Sequence, residues 1–220
     1  MREGARDRRL EGLENFAIFN PQNVTERFGF PIIQPVYEMP EIKRWIDLQD
    51  FRKMSAGGAD LSRCGLQLYN WDYKIQCFWE SPSRYLAGLQ KLGAVIAPDF
   101  SMYTDMPIIA QMWNHYKHNW LAAYWQENGV AVIPALSWSV PESYEWCFDG
   151  LPYQGIVSVS TQGLRRNTQQ ARDYFRRGYE EAMTRLNPCG VVCYGKPFDY
   201  MNASEVVRTV GQGFNESEVC

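Results

Sequence analysis

Short apolar runs rich in Val and Ile recur along the chain, each bounded by Gly or Pro. Runs of this kind read as buried strands of a parallel sheet. The predicted strands are a weak Pro31–Val36, then Gly65–Trp71, Gly93–Phe100, Val130–Trp138, Ile156–Thr161 and Val191–Gly195, with a weaker Glu205–Val210 last. Helical periodicity fills the gaps. Ile109, Met112, Trp113, Tyr116, Trp120 and Tyr124 recur at steps of three and four and predict a long helix over Met106–Asn128. Asp105 is its expected cap, and Gly129 suits its end. A second helix is predicted over Thr168–Leu186, capped by Asn167 and stopped at Asn187-Pro188. Shorter helices are predicted at Ser83–Leu92 and Glu142–Phe148. Strands and helices alternate, with strand starts about 25 to 37 residues apart, which is βα-unit spacing. The expected fold is therefore α/β with a mostly parallel sheet. A barrel-like closure is favoured over an open doubly wound sheet, because six or seven units fit the length and no glycine fingerprint marks a dinucleotide crevice. Residues 1–58, with four prolines, read as an irregular lead-in or lid, and 59–220 as a single α/β domain.

Parallel units put every strand C-terminus on one edge, and sites are built there. Residues distant in sequence should converge at that rim: Asp72, then Asp99, Ser101 and Tyr103, then Trp138, Thr161 and Lys196. Carboxylates exchange protons, a lysine steadies an anion, and aromatic faces stack on sugars or bases. Asp99 and Asp72 are thus candidate catalysts with Lys196, which sits between Gly195 and Pro197. Trp138, Tyr103, Ser101 and Thr161 are candidate substrate contacts. Each has a plainer reading. Asp99 can be a turn carboxylate bonded to backbone amides, Asp105 a helix cap, and Trp138 and Tyr103 plugs in a barrel mouth. Asp149-Gly150 reads as a turn.

Composition narrows this further. The 220 residues are 45% hydrophobic and 21% charged, which excludes a disordered chain. The net charge is −3, so no overall positive field drives nucleic-acid binding. Basic clusters occur locally, at Arg6 to Arg9 and at Arg165-Arg166 with Arg172, Arg176 and Arg177. No run of eighteen apolar residues is present and the N-terminus lacks a secretory pattern. The six cysteines form no Cys-x-x-Cys pair. Reduced thiols in a cytoplasm are the expectation, with Cys220 exposed. His115 and His118 lie three apart without a His-Glu-x-x-His pattern and are expected as a surface pair. Gly211-Gln212-Gly213 is not a dinucleotide motif, and no spacing calls for zinc or an iron–sulfur cluster.

A combination of segments is familiar: Pro98-Asp-Phe-Ser-Met-Tyr-Thr-Asp-Met-Pro107, Trp113-Asn114, Trp125-Gln126, Val132-Ile-Pro134 with Trp138, Cys147-Phe-Asp-Gly150 and Cys193-Tyr-Gly-Lys-Pro-Phe198. Together, over roughly Ala59 to Lys196, they resemble the domain-of-unknown-function 4417 family of bacteria, their phages and mobile elements. The resemblance implies an intracellular setting, in a bacterium or a phage-infected host, and supplies no activity. Its recurrent positions map to Asp99, Ser101, Tyr103, Asp105, Asn114, Trp138, Asp149 and Lys196, which adds Asn114 to the substrate contacts. Two functions compete. One is a hydrolase or transferase acting on a small polar nucleotide- or sugar-like ligand, with Asp99 as acid/base. The other is a non-catalytic phage or mobile-element binding protein for a protein or single-stranded nucleic-acid partner. A third reading makes the rim only a packed mouth. The residues name no cofactor, metal or oligomeric state.

Overall fold

The computed structural model describes residues 15–164, 167–201 and 206–210, the last five as backbone. The clusters at Arg6 to Arg9 and Arg165-Arg166, the Gly211-Gln212-Gly213 stretch and Cys220 lie outside the described residues. The chain alternates strands and helices: β1 (Arg44–Ile46), α1 (Leu48–Ala56), β2 (Cys64–Leu66), α2 (Asp72–Glu80), α3 (Pro82–Leu89), β3 (Ala94–Ile96), α4 (Ile108–Glu127), β4 (Val132–Ile133), a 3-10 turn (Pro141–Glu145), β5 (Ile156–Ser160), α5 (Gln169–Leu186), β6 (Gly190–Tyr194) and β7 (Val206–Val210). Strands β1 to β4 pair in that order and β5 to β7 likewise, every pair parallel. A parallel bridge between Ala135 and Ser158 joins the two sets. The Ser158 amide donates to the Pro134 carbonyl at 2.8 Å, and the Leu136 amide to the Ser158 carbonyl at 2.7 Å. Strand β4 stops after two residues because Pro134 has no N–H for the ladder.

Period-two alternation sorts the strand side chains into two cores. Val95, Ala97, Val157, Val159, Val191 and Cys193 join the larger core with the helices. Ala94, Ile96, Ile133, Ala135, Ile156, Val192 and Tyr194 form a second cluster with Ile42, and no helical residue belongs to it. Across that second face Tyr69, just past β2, stacks on Tyr194 of β6 with ring centroids 5.3 Å apart. The Tyr69 hydroxyl also lies 3.0 Å from Ser158 Oγ. In a flat sheet β2 and β6 would be about 19 Å apart, so the sheet curls strongly. Among the described residues no pairing joins β7 to β1, and no closed barrel is present. Val36, Met39 and Ile42 cross under the strand starts, and the Ile156 amide donates to the Val36 carbonyl at 2.7 Å.

Several expectations are corrected. The weak strand at Pro31–Val36 is a largely irregular crossing segment, with one isolated bridge at Pro31. The stretch expected to be irregular carries β1 and α1, and Asp47 caps α1 by accepting from the Asp50 amide at 2.8 Å. Asp105 does not cap α4, whose first-turn boundary is Pro107 without a side-chain cap. Thr168 rather than Asn167 caps α5, accepting from the Ala171 amide. The largest correction concerns His115 and His118, which are buried. Phe30 packs edge-on to His115 at 4.7 Å and Trp146 lies at 5.9 Å. The chain before β1 and the turn after the 3-10 segment therefore cover the helical face that would otherwise meet water. Phe16 and Phe19 cover the next stripe, against Tyr116, Trp120 and Tyr124. The Asp149-Gly150 turn forms as expected. Gly150 has φ +80°, and a Cβ there would lie 2.5 Å from Asn119 Nδ2 and 2.6 Å from the Pro31 carbonyl oxygen.

Candidate functional site

The ends of β3, β4 and β5 and the start of α5 wall a cavity of about 650 Å³. The loop from β3 to α4 supplies Asp99, Ser101, Tyr103 and Asp105. The segment after β4 supplies Ser137, Trp138 and Ser139, and α5 supplies Thr168, Gln170, Tyr174 and Phe175. The common strand direction is what assembles these positions.

Asp99 is the cavity's perturbed acid. Burial pushes its carboxyl up to about 7, the neighbouring Ser137 hydroxyl pulls it down, and the Asp72 carboxylate raises it again. Asp99 Oδ1 is buried without a hydrogen-bond partner. A carboxyl that titrates near neutral and has an unused oxygen can donate or accept a proton at physiological pH.

The loop carrying Asp99 is pinned from behind. Asp72, first residue of α2, accepts from the Ser101 amide at 3.1 Å and from Ser101 Oγ at 2.8 Å. Three side chains on one edge of α4 donate to carbonyls of the same loop: Gln111 to Met106 at 2.8 Å, Asn114 to Ser101 at 2.6 Å and His118 to Pro98 at 2.9 Å. A carbonyl oxygen only accepts, so His118 carries its proton on Nδ1. Burial pushes His118 down to about 4, and His115, which donates from Nε2 to the Asp149 carbonyl, down to about 3. Both rings are neutral at pH 7. Asp72 and Asn114 thus position Ser101, and neither lines the cavity.

Trp138 is half-buried. Its Nε1 donates to the Tyr174 carbonyl at 3.3 Å, and its ring lies 5.2 Å from Phe175. A Cβ on Gly178 would come within 2.2 Å of Trp138 Nε1, so this helix position has to be glycine for the indole to seat. Tyr103 is 56% exposed. The other two candidates lie apart. Buried Thr161 donates from Oγ1 to the Lys196 carbonyl at 2.9 Å, tying the ends of β5 and β6. Lys196 is exposed, and neither residue lines the cavity.

The structure therefore gathers Asp99, Ser101, Tyr103 and Trp138 around one cavity, with Asp72 and Asn114 behind them. Sequence reasoning missed Gln111 and His118 as loop-holding groups, and Thr168 and Gln170 as wall. The signal for the first pair was polar residues at i, i+3 and i+7, counting Asn114, on one helical edge. Among the described residues no three His, Cys, Asp or Glu side chains come together to hold a metal ion. No helix among them is long and apolar enough to cross a membrane.

The sequence profile of the family described as domain of unknown function (DUF4417) matches residues 24–210. The chain belongs to the DUF4417 family. This DUF4417 chain is 39% identical over 171 residues to the Gene 1 protein of Mycobacterium phage L5, covering 77% of the chain and 72% of that protein. It is 37% identical over 184 residues to the Gene 1 protein of Mycobacterium phage D29, covering 81% of the chain and 65% of that protein. No solved structure matches it. The DUF4417 match reaches well beyond the segments that first suggested the family, on the N-terminal side to residue 24 and on the C-terminal side to residue 210.

Proposed function

We propose that the cavity binds a small polar, ring-bearing ligand of nucleotide- or sugar-like kind, and that Asp99 acts on it as a general acid/base in hydrolytic or transfer chemistry. The observation that carries the reading is Asp99 itself. Its unpartnered Oδ1 belongs to a carboxyl that titrates at about 7, on the wall of a cavity at the strand C-terminal edge. Such a cavity has the size of small-molecule sites. Trp138 offers an aromatic surface beside it, and the pinned loop holds the carboxyl in one geometry without reorganisation. The second core, free of helical residues, supports a barrel-like sheet with this cavity at its mouth. The phage relatives support action inside a bacterium or an infected host.

The test is a panel of nucleosides, nucleotides and sugars, read by thermal shift on the wild type and by product mass in prolonged incubation. Asp99→Asn should leave ligand binding within a few-fold and lower turnover by about 10² or more. Turnover unchanged in a folded Asp99→Asn variant overturns the acid/base role.

A second reading has its own observation. Trp71 (65% exposed), Tyr73 (75%) and Tyr103 are unusually bare for aromatics; the first two sit at the start of α2, just past β2, and the third on the β3–α4 loop. They suit stacking with single-stranded bases in a non-catalytic binding protein. A salt titration against single-stranded DNA tests it. Binding that weakens with salt and with Trp71→Ala supports it, and no binding at low salt removes it.

A further inference from the structure

We propose that the cavity contains an anion subsite, made by the first turn of α5 and the Ser139 hydroxyl, that takes a phosphate or carboxylate group of its ligand. The inference rests on the ligand-binding reading above and specifies the charge of the ligand. Helix α5 runs for 18 residues, long enough for a full partial positive charge at its start. Its first turn holds no acidic residue. The Ala171 amide is taken by Thr168 Oγ1 at 3.2 Å and the Thr168 amide by Asn167 Oδ1 at 2.8 Å. Helix geometry leaves the amides of Gln169 and Gln170 without an intrahelical acceptor. Thr168, Gln170 and Ala171 all line the cavity.

The second observation comes from a different wall. Ser139 lines the same cavity, is 3% exposed, and its Oγ has no hydrogen-bond partner. Its backbone amide is already bonded to Ser143 Oγ at 3.0 Å, which fixes the residue. A buried hydroxyl without a partner is costly unless a ligand atom meets it. The α5 amides can only donate and the Ser139 hydroxyl can donate as well as accept, so a group rich in acceptor atoms suits both walls, and an oxyanion fits best. The cavity's carboxyl groups, Asp99 and Asp105, come instead from the β3 side. An anionic group is therefore directed to the α5 wall, and the uncharged part of the ligand to Asp99 and Trp138.

The experiment titrates inorganic phosphate, and acetate in parallel, into the full chain, and follows the backbone amide resonances of Gln169 and Gln170. Phosphate at up to about 50 mM, enough to fill a millimolar site, should shift both amides saturably. Gln170→Glu puts a like charge beside the anion while favouring the helix start itself, so it should weaken phosphate about tenfold with the fold intact. Ser139→Ala should weaken it several-fold. Acetate shifting the same amides more strongly than phosphate assigns the subsite to carboxylates, and the reverse assigns it to phosphates. Unshifted amides, or Gln170→Glu binding as well as wild type, overturn the subsite. Adenosine and its monophosphate separate this failure from failure of the underlying reading. Adenosine binding that depends on Trp138 but gains nothing from the phosphate sinks the subsite alone. Phosphate binding with no nucleoside or sugar binding sinks the ring-ligand reading alone.

Discussion

Replacing Asp99 by Asn should change how stability depends on pH, by an amount the structure sets. The folded carboxyl titrates at about 7 against 3.8 for an ordinary Asp. A raised folded value means that the native state holds its proton more tightly than the unfolded chain does. The stabilisation relative to the ionised group is complete below about pH 4 and is lost as pH rises through 7. At about 1.4 kcal/mol per unit, the full effect is roughly 4 kcal/mol, of which about 3 kcal/mol falls between pH 5 and pH 8. Asn is uncharged throughout and has no such slope. Urea unfolding of both proteins at half-unit pH steps gives the difference directly. The buried histidines shift stability in the opposite sense, but they are common to both proteins and cancel in the difference. The Asp99→Asn variant should gain on the wild type by about 3 kcal/mol from pH 5 to pH 8. A flat difference, within about 0.5 kcal/mol, would refute the burial of this carboxyl and with it the acid/base proposal.

Two further outcomes follow from the packing. Gly178→Ala places a Cβ where Trp138 Nε1 now sits, so it should cost about 1–3 kcal/mol in urea unfolding and displace the indole. An unchanged midpoint would mean that Trp138 is not seated against α5. The His118 value is depressed by burial to about 4, so this group's contribution is present above about pH 6.5 and is lost as pH falls through 4. His118→Asn can keep the bond to the Pro98 carbonyl while removing the titration. Its acid-unfolding midpoint should move to lower pH, whereas His118→Ala, which leaves that carbonyl unmet, should lose about 1–3 kcal/mol at pH 7. Equal behaviour of the two variants would contradict the hydrogen bond as the residue's role.

Local pattern alone was enough for β5, β6, α4 and α5, because four or five buried residues in a row, or a long helical apolar stripe, leave few alternatives. It also implied the shared edge on which Asp99, Ser101, Tyr103 and Trp138 meet. Strand β1 escaped notice because three residues carry no period, and α2 because its start follows an apolar run that reads on as strand. The histidines were misplaced for a different reason. On α4 in isolation their face is polar and belongs to water. Only the chain before β1, which brings Phe30, and the turn after the 3-10 segment, which brings Trp146, convert it into interior. The same holds for the carboxylates: residue order could put Asp72 and Asp99 on one rim, but the contact of Asp72 with Ser101 made one a brace and left the other facing the cavity. The order of apolar and polar residues dictates which surfaces each element must bury. Which of its polar groups end up holding backbone, and which stay unpaired and available for chemistry, depends on what packs against them across long sequence separations.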